Sequence, residues 1–162
     1  MGLVTVTWLL IVMNIFITRV ETISPELLAA FKRLIPQLTK APIPTPEELQ
    51  KLIDSPSVLI LAHSSGIDGE IVGAATLGVF RTPSGVPAHV EDVIVDESMR
   101  GQGIGEVLVN HLLQIAREMG LKGISLTCNP RRVAANALYQ KMGFKKWETN
   151  IYWYELSPEG RL

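Results

Sequence analysis

Arg100, Gly101, Gly103 and Gly105 fall within six residues, behind a β-branched run that ends at Val95. Glycine lets a backbone adopt φ > 0 and approach a ligand closely. A helix opening at Ile104 would present unpaired N–H groups and the positive end of its dipole, and together these bind phosphate. Arg100 adds a permanent cation at the mouth. The order over Glu91–Gly105 is strand, turn, glycine-rich loop, helix. It reads as a phosphate or pyrophosphate cradle, with a plain tight turn as the bland alternative. A Walker A loop is excluded, because Gly105 is followed by Glu106 and supplies neither lysine nor hydroxyl. A dinucleotide fingerprint would need a small residue at 106 and an acid after the next strand, Gly123–Thr127; both are missing.

A second group of residues carries acid–base character. Asn136 and Tyr139 are three apart in a helical stretch and so share a face. Glu91 and Asp92 are adjacent on a strand, so alternation sends them to opposite sides and only one can face a cleft. His89 shares the face of Glu91. Cys128 would need a base or an electropositive neighbour to form a thiolate. Arg131 and Arg132 are the nearest charges, and a buried, inert thiol is the expectation. His63 and His111 have no companion at metal-ligand spacing, so both are expected to be structural or on the surface, and no metal is expected.

Arg100-x-x-Gly103-x-Gly105 resembles the Arg/Gln-x-x-Gly-x-Gly/Ala signature of the GNAT superfamily of acetyl-CoA-dependent N-acetyltransferases. Two further segments carry the resemblance. Val90-Glu91-Asp92-Val93-Ile94-Val95-Asp96 is similar to the family's fourth strand, and Asn136-Ala137-Leu138-Tyr139 with Gly143-Phe144 to its second motif. The resemblance spans Ile15 to Leu156 and implies an α/β fold of the α+β type. Its mixed, mostly antiparallel sheet would have six or seven strands flanked by four helices, with a cleft where strand four splays from strand five. Backbone groups of Val93, Ile94 and Val95 would hold the pantetheine arm of acetyl-CoA, and the Ile94 N–H would bind the thioester oxygen as charge develops there. Amides of Gly101, Gln102, Gly103, Ile104 and Gly105 would hold the pyrophosphate, with Arg100 nearby. Asn136 would bond the pantetheine or adjacent backbone. Tyr139 would protonate the departing thiolate, since an ordinary phenol is still protonated at neutral pH. Amino-sugar-phosphate members carry a similar Glu-Asp pair, which favours Glu91 as general base over His89 or a water relay.

The implied activity is direct acetyl transfer to the primary amine of a small molecule. A protein acceptor, a non-catalytic CoA-binding module and a different acyl preference are the alternatives. Thr127-Cys128-Asn129-Pro130-Arg131-Arg132 inserts residues relative to the amino-sugar enzymes, so their acceptor is not carried over.

The elements that must position these residues are legible from caps and periodicity. Ile15–Glu21 reads as a strand. Ser24-Pro25-Glu26 starts a helix ending near Pro36, and Thr45-Pro46-Glu47-Glu48 starts another to about Ile53, after a loop with three prolines. Val58–Ala62 and Glu70–Phe80 form a hairpin across Asp68-Gly69. Ala88–Val95 is a strand, Ile104–Met119 a helix closed by Gly120, and Gly123–Thr127 a short strand. Asn129-Pro130 opens a helix to Met142, and Phe144–Leu156 supplies one or two final strands. In that tail alternate members of Trp147, Tyr152, Trp153 and Tyr154 are expected in the core, with others at the acceptor pocket or a dimer face.

The chain has 162 residues, 47% hydrophobic and 19% charged, with a net charge of −1. These values exclude disorder and argue against broad nucleic-acid binding, which needs a basic footprint. One cysteine permits no intrachain disulfide, and a cytoplasmic setting is expected. The apolar excess is concentrated in Met1–Thr18, which has no charged side chain and 13 hydrophobic residues. It lacks the basic start of a signal peptide and sits at the short limit of a membrane span. Val4, Val6 and Trp8 alternate with threonines, so residues 1–13 are read as an apolar extension, an extra strand or arm, on a single domain over 14–162. A membrane anchor or an adventitious leader are the alternatives. An exposed arm of this kind favours self-association, so it is expected to pack on the domain or across a dimer. Deleting residues 1–13 should therefore change oligomeric state, stability or solubility, as read by light scattering and thermal unfolding.

Overall fold

The computed structural model describes residues 15–154 and 156. The extension at residues 1–13 lies outside them. Five strands, β1 (Ile15–Arg19), β2 (Val58–Ser64), β3 (Ile71–Val79), β4 (Ala88–Val95) and β5 (Ser125–Leu126), form one sheet in chain order. The first four are antiparallel to their neighbours and β5 runs parallel to β4. Helices α1 (Pro25–Leu38) and α2 (Pro46–Ile53) cover one face, and α3 (Ile104–Glu118) covers the other. A fourth helix, α4 (Val133–Lys141), follows β5.

The apolar run of β2 needs both layers. Val58, Ile60 and Ala62 pack toward Ile104, Leu108 and Leu112 of α3, while Leu59 and Leu61 pack toward Leu27, Phe31 and Leu34 of α1. Ser24 caps α1 by accepting the Leu27 N–H at 3.2 Å, and Thr45 and Glu48 close a reciprocal capping box on α2. His63 is structural: Nε2 meets Thr18 Oγ1 at 2.8 Å and Nδ1 meets Gly69 O at 3.1 Å, tying β1 and the hairpin turn to β2.

Four boundaries differ from expectation. Helix α1 runs two residues past Pro36. Proline deprives only the Lys32 carbonyl of its helical donor, and both residues lie on the exposed side, where water serves. Helix α4 begins at Val133 and not at Asn129. Asn129 Oδ1 accepts the Arg131 N–H and its carbonyl accepts the Arg132 N–H, both at 2.9 Å, so the segment closes as a turn first. β5 pairs over two residues only. The final strands are not formed among the described residues, and the sheet has five strands where six or seven were expected. Trp147, Tyr152, Trp153 and Tyr154 are 71–87% exposed, which corrects their assignment to the core. Apolar side chains fall on both faces of that tail, and a two-residue β5 offers little edge on which to pair it.

The end of β4 is locked to α1. Asp96 is buried, and one carboxylate oxygen accepts the Ser98 N–H at 3.0 Å and the Ser98 hydroxyl at 2.6 Å. The other oxygen is paired with the Arg33 guanidinium, which also donates to Ile71 O at 2.7 Å and meets Glu70 at 2.9 Å. The Ser98 bonds, with the Arg33 charge, outweigh burial and hold the Asp96 carboxyl below its ordinary range. Its contribution is thus complete above the unfolded Asp pKa of about 3.9 and is lost as pH falls through the lower folded value. Asp96→Ala is expected to cost about 2–3 kcal/mol in urea denaturation at neutral pH, and the gap to the parent should narrow in acid.

Candidate active site

β4 carries the decisive irregularity. Its ladder with β3 passes from Thr76–Glu91 to Ala74–Ile94, so Asp92 and Val93 stand together opposite Ala75. Asp92 takes up the extra residue with φ +49°, a left-handed conformation that aspartate tolerates better than most side chains. The bulge resets the alternation. Val90 before it, and Val93 and Val95 after it, all pack on the α3 side, while Ile94 joins the core under α1 and α2.

The same shift decides which amides are free. Ile94 O lies 2.8 Å from where a Cβ on Gly73 would sit, and Asp96, of the same parity, donates its N–H to Val72 O at 2.9 Å. A strand residue sends its N–H and C=O to one side, so the Ile94 amide is engaged with β3. This corrects Ile94 as the oxyanion donor. Val93 and Val95 are of the opposite parity and turn toward the far edge, where β5 has already ended at the Val90–Leu126 pair. Val95 O is taken by Arg100 Nε at 3.1 Å. The Val93 amide is left facing the gap.

That gap opens into a cavity of about 960 Å³. One end is the glycine loop. Gly101 and Gly103 have φ of +77° and +82°, and Gly103 caps α3 without a side chain, so the first N–H groups of the helix stay uncovered. Gly105 is helical, and a Cβ there would make an ordinary contact with Leu138 Cδ2 at 3.4 Å, so packing against α4 does not require glycine. Arg100, Gly101, Gly103, Ile104 and Gly105 all line the cavity. Gln102 does not; its side chain is exposed and donates to Met99 Sδ at 3.9 Å.

On the other wall stands Tyr139, packed edge-on against Phe144 with ring centroids 5.8 Å apart. Burial, with Cys128 nearby, raises its pKa above that of a free phenol, only partly offset by Arg132. Asn136 does not line the cavity. Its Nδ2 donates to Asn129 O at 2.9 Å, Arg132 O at 3.0 Å and Cys128 Sγ at 3.3 Å, so it braces the turn before α4. Adjacent backbone was one of its two expected partners. Cys128 is half-buried in the cavity wall and not in the core, which corrects that expectation.

Glu91 and Asp92 both border the cavity, although strict alternation would have separated them; the bulge removes the opposition. His89 is outside it. Its Nδ1 is 2.6 Å from Ser125 Oγ and its ring stacks on Phe80 at 5.6 Å, so it ties β4 to β5. Leu38, Thr39, Ala41, Pro42 and Pro44 of the α1–α2 segment form a wall that sequence reasoning did not place at the site. Arg132 reaches from the start of α4 to Leu38 O at 3.0 Å and bridges the two walls. The proline run marked that segment as a loop, but no local signal links it to a strand some fifty residues later. Among the described residues no three His, Cys, Asp or Glu side chains gather as a metal site, and no helix is long and apolar enough to cross a membrane.

Residues 27–144 match the model of the acetyltransferase (GNAT) family. This chain belongs to the GNAT family. Its members are N-acetyltransferases, and this chain is an enzyme of that acyltransferase class. It is 32% identical over 141 residues to a probable glucosamine 6-phosphate N-acetyltransferase 2 of Oryza sativa subsp. japonica, covering 81% of this chain and 82% of the relative. It is 30% identical over 130 residues to a glucosamine 6-phosphate N-acetyltransferase of Trypanosoma brucei brucei, covering 76% and 86%. The crystal structure of a Trypanosoma brucei acetyltransferase superposes with a TM-score of 0.68 at 28% identity, covering 88% of this chain and all of that one.

The left-handed glycine at the cap of α3 should be costly to replace. Gly103→Ala meets nothing within 4 Å, so its expected loss of about 1–2 kcal/mol comes wholly from the backbone, and urea unfolding reads it directly.

Proposed function

We propose that this GNAT enzyme moves the acetyl group of acetyl-CoA to a primary amine of a small molecule, by direct transfer in a ternary complex. The observation that carries the reading is the bulge at Asp92, which turns the Val93 amide into a cavity bounded by an anion cradle at one end and a tyrosine hydroxyl at the other.

The residues fit the cosubstrate. Gly101, Gly103 and the open amides of α3 suit a pyrophosphate, with the Arg100 cation beside them. The edge of β4 beyond the end of β5, at Val93 and the Val95 N–H, suits the amide groups of a pantetheine arm. In the reaction Glu91, directly or through a water, takes a proton from the acceptor ammonium. The freed lone pair attacks the thioester carbon. Val93 N–H donates to the carbonyl oxygen as it gains charge, the role first assigned to Ile94. The C–S bond then breaks, and Tyr139 passes its proton to the leaving thiolate. The products are the amide, CoA thiol and one proton released through Glu91, and Tyr139 is reprotonated from the product ammonium nitrogen or solvent. The raised pKa of Tyr139 keeps the acid in its working form above the pH at which a free phenol ionises, so loss of this acid falls on the far alkaline side of the rate profile.

Tyr139→Phe is expected to lower kcat by about 10²–10⁴ while CoA affinity stays nearly unchanged, as measured by thiol release and calorimetry. Parent-like turnover by that variant would remove Tyr139 from the mechanism.

A further inference from the structure

Behind the α1–α2 segment lies a second chamber of about 150 Å³, between the two helices and the sheet. Ile35, Pro44 and Asp92 line both spaces and form the partition between them. We infer that this chamber receives the body of the acceptor, and that it selects a primary amine carried on a compact hydrocarbon group about the size of a six-membered ring. The inference rests on the acetyl-transfer reading above.

Size and lining both point this way. A cavity of this volume walled by Leu, Ile and Phe side chains accommodates benzene. Here Phe31, Ile35, Leu49, Leu52, Leu59 and Ala74 are among the walls, and among the described residues Thr76 is the one neutral polar side chain with them. The bulge turns Asp92 to this side of the sheet, where it borders both spaces, so an ammonium group lodged between them would meet an acidic residue. A ring seated in the chamber would leave its nitrogen in the main cavity, which Glu91 and Val93 also line.

The same lining disfavours a sugar phosphate, the acceptor in the names of the relatives. Among the described residues no lysine or arginine lines the chamber, and the two ionisable groups there, Asp92 and Glu48, are carboxylates. Glu48 is already engaged, accepting the Thr45 N–H at 2.8 Å, so a polyhydroxylated ring would bury hydroxyls with few partners.

The test uses the full chain with acetyl-CoA and four amines: 2-phenylethylamine, cyclohexylmethylamine, ethylamine and glucosamine 6-phosphate. Thiol release should give both ring amines a kcat/KM at least tenfold above ethylamine, since a single methylene in an apolar pocket is worth about 10–200-fold. Glucosamine 6-phosphate should do no better than ethylamine. Leu52→Phe, which fills the chamber from a half-buried position on α2, should lower the phenylethylamine-to-ethylamine ratio about tenfold. Methyl resonances of Leu49, Leu52 and Leu59 should shift when 2-phenylethylamine is added without cosubstrate. Faster turnover of glucosamine 6-phosphate than of either ring amine, or methyl groups that do not move, overturns the chamber and leaves acetyl transfer intact. Methyl shifts without thiol release from any amine support the chamber and overturn the transfer reading. Neither shifts nor thiol release would overturn both.

Discussion

One extra residue in β4 is the constraint on which the site depends. A regular strand would continue the ladder through Asp92 and Val93, send Val93 into the α1–α2 core, spend the Val93 amide on β3 and turn that of Ile94 to the open edge. The bulge keeps apolar side chains on both faces of the sheet, with Val90, Val93 and Val95 toward α3 and Ile94 toward α1, and still opens a gap at the edge. Holding aspartate at φ +49° in mid-strand requires firm flanks. Glu91 is paired to Thr76 on one side. On the other, the Arg33–Asp96–Ser98 cluster fastens the strand end to α1, so a side chain far from the reacting atoms keeps the irregularity in place.

Charge is laid out along the cavity in an order that matches the proposed reactants. Arg100 and the open end of α3 bring positive charge to one end, where Glu106 is already paired with Lys141, and Glu91 and Asp92 bring negative charge to the β4 wall. A cosubstrate with a pyrophosphate and a cationic amine would each be drawn to its own end, and the wrong orientation of either would be repelled. The wall of Leu38, Ala41, Pro42 and Pro44 is apolar, and Arg132 is bonded to its Leu38 carbonyl.

What could be read from sequence was what is encoded locally. The glycine loop, the capped helices and the hairpin each follow from residues within a few positions, and their elements formed near the expected limits. The side on which a carboxylate stands is not local. It depends on the β3–β4 register, and simple alternation therefore puts Asp92 opposite Glu91 and frees an Ile94 amide that the bulged strand gives to β3. Asn136 shows the same limit. Helical spacing aligned it with Tyr139, but the turn at Asn129–Arg132 offered its amide nearer partners. The aromatic tail had the composition of a strand, and a strand also needs an edge, which a two-residue β5 scarcely provides.

The brevity of β5 also shapes the energetics of the molecule. Neither β5 nor α4 contributes a fully buried side chain, so this lobe is fastened to the rest of the fold by two strand pairs, the His89–Ser125 bond, the Lys141–Glu106 pair, the Arg132 bridge and the half-buried Ile124 and Leu126. Such a unit opens at a far smaller free-energy cost than the β2–β3 core. A reactant that touches both β4 and α4 would add contacts where the protein has fewest of its own, so binding would be felt as local tightening of this lobe. Amide exchange there, more than the global melting temperature, is where occupancy would register.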